Sequence, residues 1–246
     1  MVNLDFHVLT RKRIYFFPVV LMVLIILTGQ QANAQGFSRN MSKEIGKTVR
    51  LGFTLSPLGY FMNPQESGVD RYSGRMGLSF GVMADFFLDD NANYAISSGL
   101  EITSGGSTLK YNDGIGLDNY KDYPSEYDLR LQYLQIPLTL KLCTYTQSGL
   151  GIYGQFGGFF AAPIRARADV ISNGVKYEKE NVLKTVNPLN AGMLLGAGVE
   201  YPLTETMTGV VGITYQNGLI DVTRNSKWND GRINGNLFAL RLGLYF

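Results

Sequence analysis

Residues 75–87 read RMGLSFGVMADFF. Met76, Leu78, Phe80, Val82, Ala84 and Phe86 share one parity, and Arg75, Gly77, Ser79, Gly81, Met83 and Asp85 share the other. Successive side chains of a strand point to opposite faces, so this stretch predicts a strand with one apolar face and one of small, polar and ionic residues. The pattern recurs on both sides of it. Upstream, Val49, Leu51, Phe53 and Leu55 alternate with Arg50, Gly52, Thr54 and Ser56. Downstream, Tyr94, Ile96, Leu100 and Ile102 alternate with Ala95, Ser97, Gly99 and Glu101. Further on, Leu150, Ile152, Phe156 and Phe160 alternate with Gly151, Tyr153, Gln155 and Gly157, and Met193, Leu195, Ala197, Val199 and Tyr201 with Gly192, Gly196, Gly198 and Glu200. Val211, Ile213 and Tyr215 oppose Gly212, Thr214 and Gln216, and the chain ends with Phe238, Leu240, Leu242, Leu244 and Phe246 against Ala239, Arg241, Gly243 and Tyr245.

One strand is irregular. Leu129, Leu131 and Tyr133 are in phase with one another, whereas Ile136, Leu138, Leu140 and Leu142 take the other parity. A slip at Tyr133-Leu134 predicts a β-bulge close to Pro137.

The count is eight strands of roughly 9–15 residues, where a tilted membrane strand needs ~9–11. Connections alternate: residues 57–74, 105–127, 163–189 and 222–235 are long, while 89–93, 143–149 and 202–207 are short. All long loops therefore gather at one end and both termini at the other, as in outer-membrane barrels. Asn173-Gly174, between strand-like runs, is a type I′ hairpin signal and predicts an external hairpin.

The face chemistry sets the environment. A soluble barrel turns apolar residues inward and charges outward. Here the second face is mostly Gly, Ser, Thr, Ala and Gln, a poor water-exposed surface but suited to a narrow lumen. The apolar face suits lipid, and ring closure satisfies backbone groups that lipid cannot. We therefore expect an all-β, eight-stranded antiparallel up-and-down transmembrane β-barrel over residues 48–246, with outer-membrane lipid as its surroundings. Phe86, Phe87, Tyr94, Tyr201 and Phe246 below, and Tyr60, Phe61, Phe159 and Phe160 above, are expected to form interfacial girdles. Arg50, Arg75, Asp85, Glu101, Arg130, Lys141, Glu200 and Arg241 lie on the second face. On the lipid side an Arg or Lys would cost ~2–4 kcal/mol, so these residues are expected to point into the lumen and pair as a structural ionic network. Eight strands leave an interior just wide enough for side chains, which argues for a plug over a channel.

The leading segment is an export signal. Arg11, Lys12 and Arg13 precede the uncharged run Ile14–Leu27, and Ala32 and Ala34 form an A-x-A cleavage site. Fourteen residues rise only ~21 Å as a helix, short of a ~30 Å hydrocarbon core. Residues 1–34 are read as a cleaved signal peptide and 35–47 as a short periplasmic segment.

Of 246 residues, 17% are charged against about 25% in an average soluble domain, and 29 are glycine. The signal takes three of the 22 basic and one of the 20 acidic residues, leaving a neutral mature chain that argues against nucleic acid. It also takes His7, the single histidine, which excludes a His general base, a Ser-His triad and a His-ligated metal. The lone Cys143, at a strand end, forms no internal disulfide and is read as inert. Gly149-Leu150-Gly151-Ile152-Tyr153-Gly154 matches G-x-G-x-x-G, but a strand follows where a dinucleotide site needs a helix. Asp89-Asp90-Asn91 and Asn112-Asp113-Gly114 with Asp118 lack calcium-loop spacing and read as solvated turns. No cofactor is expected. Trp228 in the last long loop fits either an interface anchor or a partner contact.

The segments YLQIPLTLKL (133–142), LLGAGVEYPL (194–203) and ALRLGLYF (239–246) resemble the small outer-membrane β-barrel family of Bacteroidetes, PorT-like or porin-family. The resemblance covers roughly residues 48–246. It implies an integral outer-membrane location, where the long-short loop alternation places both mature termini in the periplasm. It also implies that the barrel-assembly machinery reads the terminal strand, where Phe246 holds the aromatic C-terminal place. Of activity it implies little. The expected role is non-enzymatic: a structural or surface-binding barrel acting through its long loops on an extracellular or periplasmic protein partner. The alternatives are an accessory of a transport or protein-secretion apparatus, or a narrow pore.

Overall fold

The computed structural model describes residues 48–147 and 149–246. The expected signal peptide and most of the expected periplasmic segment lie outside the described residues. The chain forms β1 (Val49–Pro64), β2 (Val69–Phe87), β3 (Tyr94–Tyr111), β4 (Ser125–Tyr145), β5 (Gly151–Ser172), β6 (Val175–Asn181), β7 (Asn190–Pro202), β8 (Thr208–Asp221), a one-turn helix α1 (Asn225–Trp228) and β9 (Ile233–Tyr245).

Each strand pairs antiparallel with its neighbour in the ring β1-β2-β3-β4-β5-β7-β8-β9, which β1–β9 pairing closes. The fold is thus an eight-stranded up-and-down barrel. β6 is a ninth strand outside the ring. It folds back on the end of β5 through Asn173 and Gly174, both at positive φ (49° and 73°), as a type I′ turn requires. β5 pairs with β7 only from Gly151 to Ala161 but with β4 along its whole length. The β4–β5 wall therefore rises well above the β7–β8 side.

The strands are longer than their alternation suggests. The 57–74 segment expected as a loop is mostly strand, with residues 65–68 as the link between β1 and β2. Residues 112–124 and 182–189, with α1 and its flanks, are the real long connections. They all lie at one end, and the links 88–93, 146–150 and 203–207 lie at the other.

Two zones stack along the barrel. In the lower zone, Leu51, Phe53, Phe80, Val82, Ile96, Leu138, Phe156, Leu195, Ile213 and Leu242 are exposed on the outer face. Thr54, Ser56, Ser79, Ser97, Thr103, Thr139, Gln155 and Thr214 are buried inside. In the upper zone the inside becomes apolar: Leu109, Tyr111, Tyr127, Leu129, Leu131, Ala168, Val170, Val186, Trp228 and Ile233 form one buried core. Its outside is polar, with Asp128, Arg130 and Gln132 on β4. A wall in lipid and a wall in water need opposite face chemistry, so one continuous strand reverses its pattern where it leaves the membrane.

That reversal corrects the expected bulge near Pro137. Odd residues of β4 face inward from Ser125 to Lys141 without interruption, and β4 keeps one register against β3. The extra residue lies across the ladder on β5, where Gln132 pairs with Arg165 and Tyr133 with Pro163, leaving Ile164 unpaired. The girdles also differ from expectation. Phe86, Tyr94, Tyr201 and Phe246 are exposed at the lower rim and Phe160 at the upper. Tyr60 and Phe159 are buried inside, and Phe87 lies beneath Arg50, 5.3 Å from its guanidinium carbon. Phe238 joins the upper rim, its ring 4.6 Å from Tyr215 and 6.1 Å from Phe61.

Candidate functional site

The lumen holds the densest polar chemistry of the molecule. Arg50 from β1, Asp85 from β2, Lys141 from β4 and Glu200 from β7 meet inside the lower barrel, each side chain at most 4% exposed. The Arg50 guanidinium donates to Asp85 Oδ2 at 2.8 Å and to Glu200 Oε2 at 2.9 Å. Lys141 Nζ donates to Asp85 Oδ2 at 2.8 Å and to a Glu200 oxygen. The Ser97 hydroxyl donates to the other Asp85 oxygen. Two cations thus face two carboxylates, and the group is neutral.

Aromatic rings line the cluster. The Arg50 guanidinium carbon lies 3.9 Å from the Tyr245 ring centre, and Lys141 Nζ lies 4.7 Å from that of Tyr153. Room for Tyr153 comes from the facing glycines of β7 and β8. A Cβ on Gly198 would sit 2.8 Å from the Tyr153 ring. Beside the cluster, Arg241 approaches Glu101 at 4.0 Å, and Glu101 accepts the Ser79 hydroxyl at 3.2 Å. Above lie two cavities of about 10 Å³ each, one between Glu101, Gln216 and Arg241 and one between Tyr60, Gln135 and Asn190. Each has room for about one water.

Six of the eight charged residues read as lumenal therefore face the lumen: Arg50, Asp85, Lys141 and Glu200 together, Glu101 and Arg241 as a looser pair. Arg75 and Arg130 do not. Both lie on the outer surface of the upper zone, bound to Asp128, Arg75 at 2.6 Å and Arg130 at 3.3 Å. Arg130 also binds Asp169. For Arg130 the reason is the polarity reversal. For Arg75 it is a break in the β2–β3 register between Gly74 and Leu78; Arg75 lies within it, and its side chain runs out to Asp128. Phe246 is half exposed on the outer face, its N–H bound to the Leu51 carbonyl and its ring 5.5 Å from Phe53.

The sequence reading missed a second closure in the upper zone. Trp228 is fully buried; its indole N–H donates to the Thr185 carbonyl at 3.0 Å, and its ring packs 4.9 Å from Tyr127 and 5.6 Å from Tyr111. Asp230 is buried beside it and accepts the Tyr111 hydroxyl at 2.8 Å and the Thr223 hydroxyl at 3.2 Å. Burial pushes the Asp230 carboxyl up to about 6, aided by nearby Asp221 and opposed by the Tyr111 and Thr223 donors. Burial, aided by the same carboxylate, holds the Tyr111 hydroxyl well above its usual range. Residues 112–124 close over α1, with the Gly116 N–H bound to the Trp228 carbonyl at 2.8 Å. Tyr245 and Tyr111 have inward parity and could have been found from phase. Asp230 and Trp228 sit in an aperiodic loop and could not.

Chemically the lumen is self-neutralising. The cations and hydroxyls that ring its carboxylates hold them in place. Among the described residues no three His, Cys, Asp or Glu are placed to hold a metal, and no helix is long and apolar enough to cross a membrane.

Among solved structures, Neisserial surface protein A is 12% identical with a TM-score of 0.41, the match covering 81% of this chain and 96% of that one. The attachment invasion locus protein Ail of Yersinia pestis is 10% identical with a TM-score of 0.38, covering 81% and 100%. OprG of Pseudomonas aeruginosa is 12% identical with a TM-score of 0.38, covering 80% and 94%. No curated protein matches. The family model described as "Outer membrane protein beta-barrel domain" matches residues 31–224. The chain belongs to that family and is an outer-membrane β-barrel protein.

Proposed function

We propose that the protein is a non-enzymatic, non-conducting barrel that serves as a membrane-anchored recognition platform. Its long-strand end faces the cell exterior and its mature termini the periplasm. The observation that carries this reading is the double closure of the lumen. The Arg50–Asp85–Lys141–Glu200 cluster fills the lower barrel, and the Trp228 core fills the upper one. In this reading nothing passes through the middle, and what the barrel offers is its raised wall: β4, β5 and β6, the last with every residue exposed. Surface loops on a rigid scaffold are where recognition residues concentrate. In this reading Phe246 ends the strand that the assembly machinery reads.

A second reading is service to a secretion apparatus of the PorT type. It rests on the resemblance carried by residues 133–142, 194–203 and 239–246.

The test pairs two measurements on the full chain. Purified protein in a planar bilayer is expected to give no stable openings. An epitope inserted between Asn173 and Gly174 is expected to be detected on intact cells. Sustained ohmic conductance would overturn the closed lumen, and an epitope reached only after permeabilisation would overturn the orientation.

A further inference from the structure

On the β2–β5 side, the lipid-facing band ends at Leu78, Leu134 and Ile164, all exposed and apolar. Immediately above it, Arg75, Arg130, Arg165 and Arg167 surround a shallow depression of about 390 Å³. Gly77, Ser104 and Gly105 also line it, and Met76 at its edge is 81% exposed.

Four guanidinium groups here meet two carboxylates. Asp128 is shared by Arg75 and Arg130, and Asp169 binds Arg130. Arg165 and Arg167, paired across the ladder with Gln132 and Arg130, have no acidic partner among the described residues. The patch keeps two uncompensated positive charges at the level where headgroups begin. The register breaks turn them outward: the break in β2 exposes Arg75, and the extra residue at Ile164 brings Arg165 and Arg167 to the outer face.

We propose that this depression binds the phosphate of an anionic lipid headgroup in the leaflet at the long-strand end, its acyl chains lying against Leu78, Leu134 and Ile164. Guanidinium groups suit phosphate because their parallel N–H donors match two of its oxygens at once. Four arginines collected at one headgroup-level spot, in a chain whose net charge is only +2, favour a local anion over general attraction to the membrane. The site does not depend on which end of the barrel faces out.

The test is native mass spectrometry of the intact protein titrated with phosphatidic acid, with phosphatidylcholine as the neutral comparison. R165Q/R167Q removes the two arginines without acidic partners. Heat-modifiable migration should confirm that this variant is folded. Each arginine near a charged membrane surface contributes roughly five-fold to binding, so the double variant should bind phosphatidic acid about 25-fold more weakly. R165K/R167K should recover part of the loss, and R71Q, a surface arginine outside the depression, should change little. The proposal is overturned if the double variant keeps its affinity within about twofold, if R71Q costs as much, or if soluble glycerol phosphate displaces the lipid completely.

Discussion

Removing one charge from the lower cluster should destabilise the barrel far more than removing a balanced pair. Arg50 and Lys141 supply two positive charges and Asp85 and Glu200 two negative, none more than 4% exposed in the side chain. Lys141→Met keeps the apolar stem but leaves Arg50 facing both carboxylates, one buried negative charge in excess. Stripping one partner from a buried ionic group costs about 3–5 kcal/mol, because the remaining charge cannot return to water. Asp85→Asn added to Lys141→Met restores neutrality. Arg50 still pairs with Glu200, and the amide oxygen still accepts from Ser97. The double variant should regain at least half of the loss, about 2 kcal/mol, because the two residues are in contact and their effects do not add. The assay is urea unfolding in lipid vesicles, followed by the fluorescence of Trp228, the single tryptophan of the chain. A single variant within about 1 kcal/mol of wild type, or a double variant no more stable than the single, would refute a neutral, desolvated cluster.

The upper closure has its own tests. Trp228→Ala should cost about 3–5 kcal/mol, as for a large core aromatic, and should raise amide exchange in residues 112–124. Conductance should stay absent in that variant, since the lower cluster is intact. Asp230 carries a pH signature. Its folded carboxyl sits near 6 against an ordinary 3.8, so the folded state holds its proton more tightly than the unfolded state. Its favourable contribution is complete below pH ~4 and lost as pH rises through ~6, a change of about 3 kcal/mol. Protection factors of residues 222–232, corrected for the intrinsic pH dependence of exchange, should fall from pH 5 to 7 in wild type, and Asp230→Asn should flatten that dependence.

Phase was legible wherever a strand stays in one environment. β1, β3, β7, β8 and β9 place their apolar and polar parities as the alternation predicts, because lipid outside and a crowded lumen inside impose one rule along each lower strand. β4 was misread for a physical reason. Leu129, Leu131 and Tyr133 fill a water-excluding core, while Leu134, Ile136 and Leu138 face lipid. Hydrophobicity marks burial from water without saying which side the burial is on, so a change of environment mimics a slip of register. Arg130 was misplaced by the same ambiguity. Arg75 was misplaced by a break between Gly74 and Leu78 that leaves no mark in an otherwise clean alternation. The upper parts of β1, β2 and β3 were taken for loops because their Gly, Ser and Tyr lack a strong period, whereas Asn173-Gly174 marked the upper part of β5 and β6. The contacts among Trp228, Asp230, Tyr111 and Thr223 join a loop to three strands, and no local pattern encodes them.

The central claim is that one strand crosses two environments without changing phase. Spin labels placed singly along β4 from Tyr127 to Leu142, with Cys143 replaced, test it most directly. Even positions from Leu134 to Leu142 should be relaxed by oxygen dissolved in the bilayer, even positions from Asp128 to Gln132 by a water-soluble nickel complex, and odd positions by neither. If Leu129 and Leu131 proved to be the lipid-exposed positions, the strand would shift phase at Tyr133 and the two-zone barrel described here would be wrong.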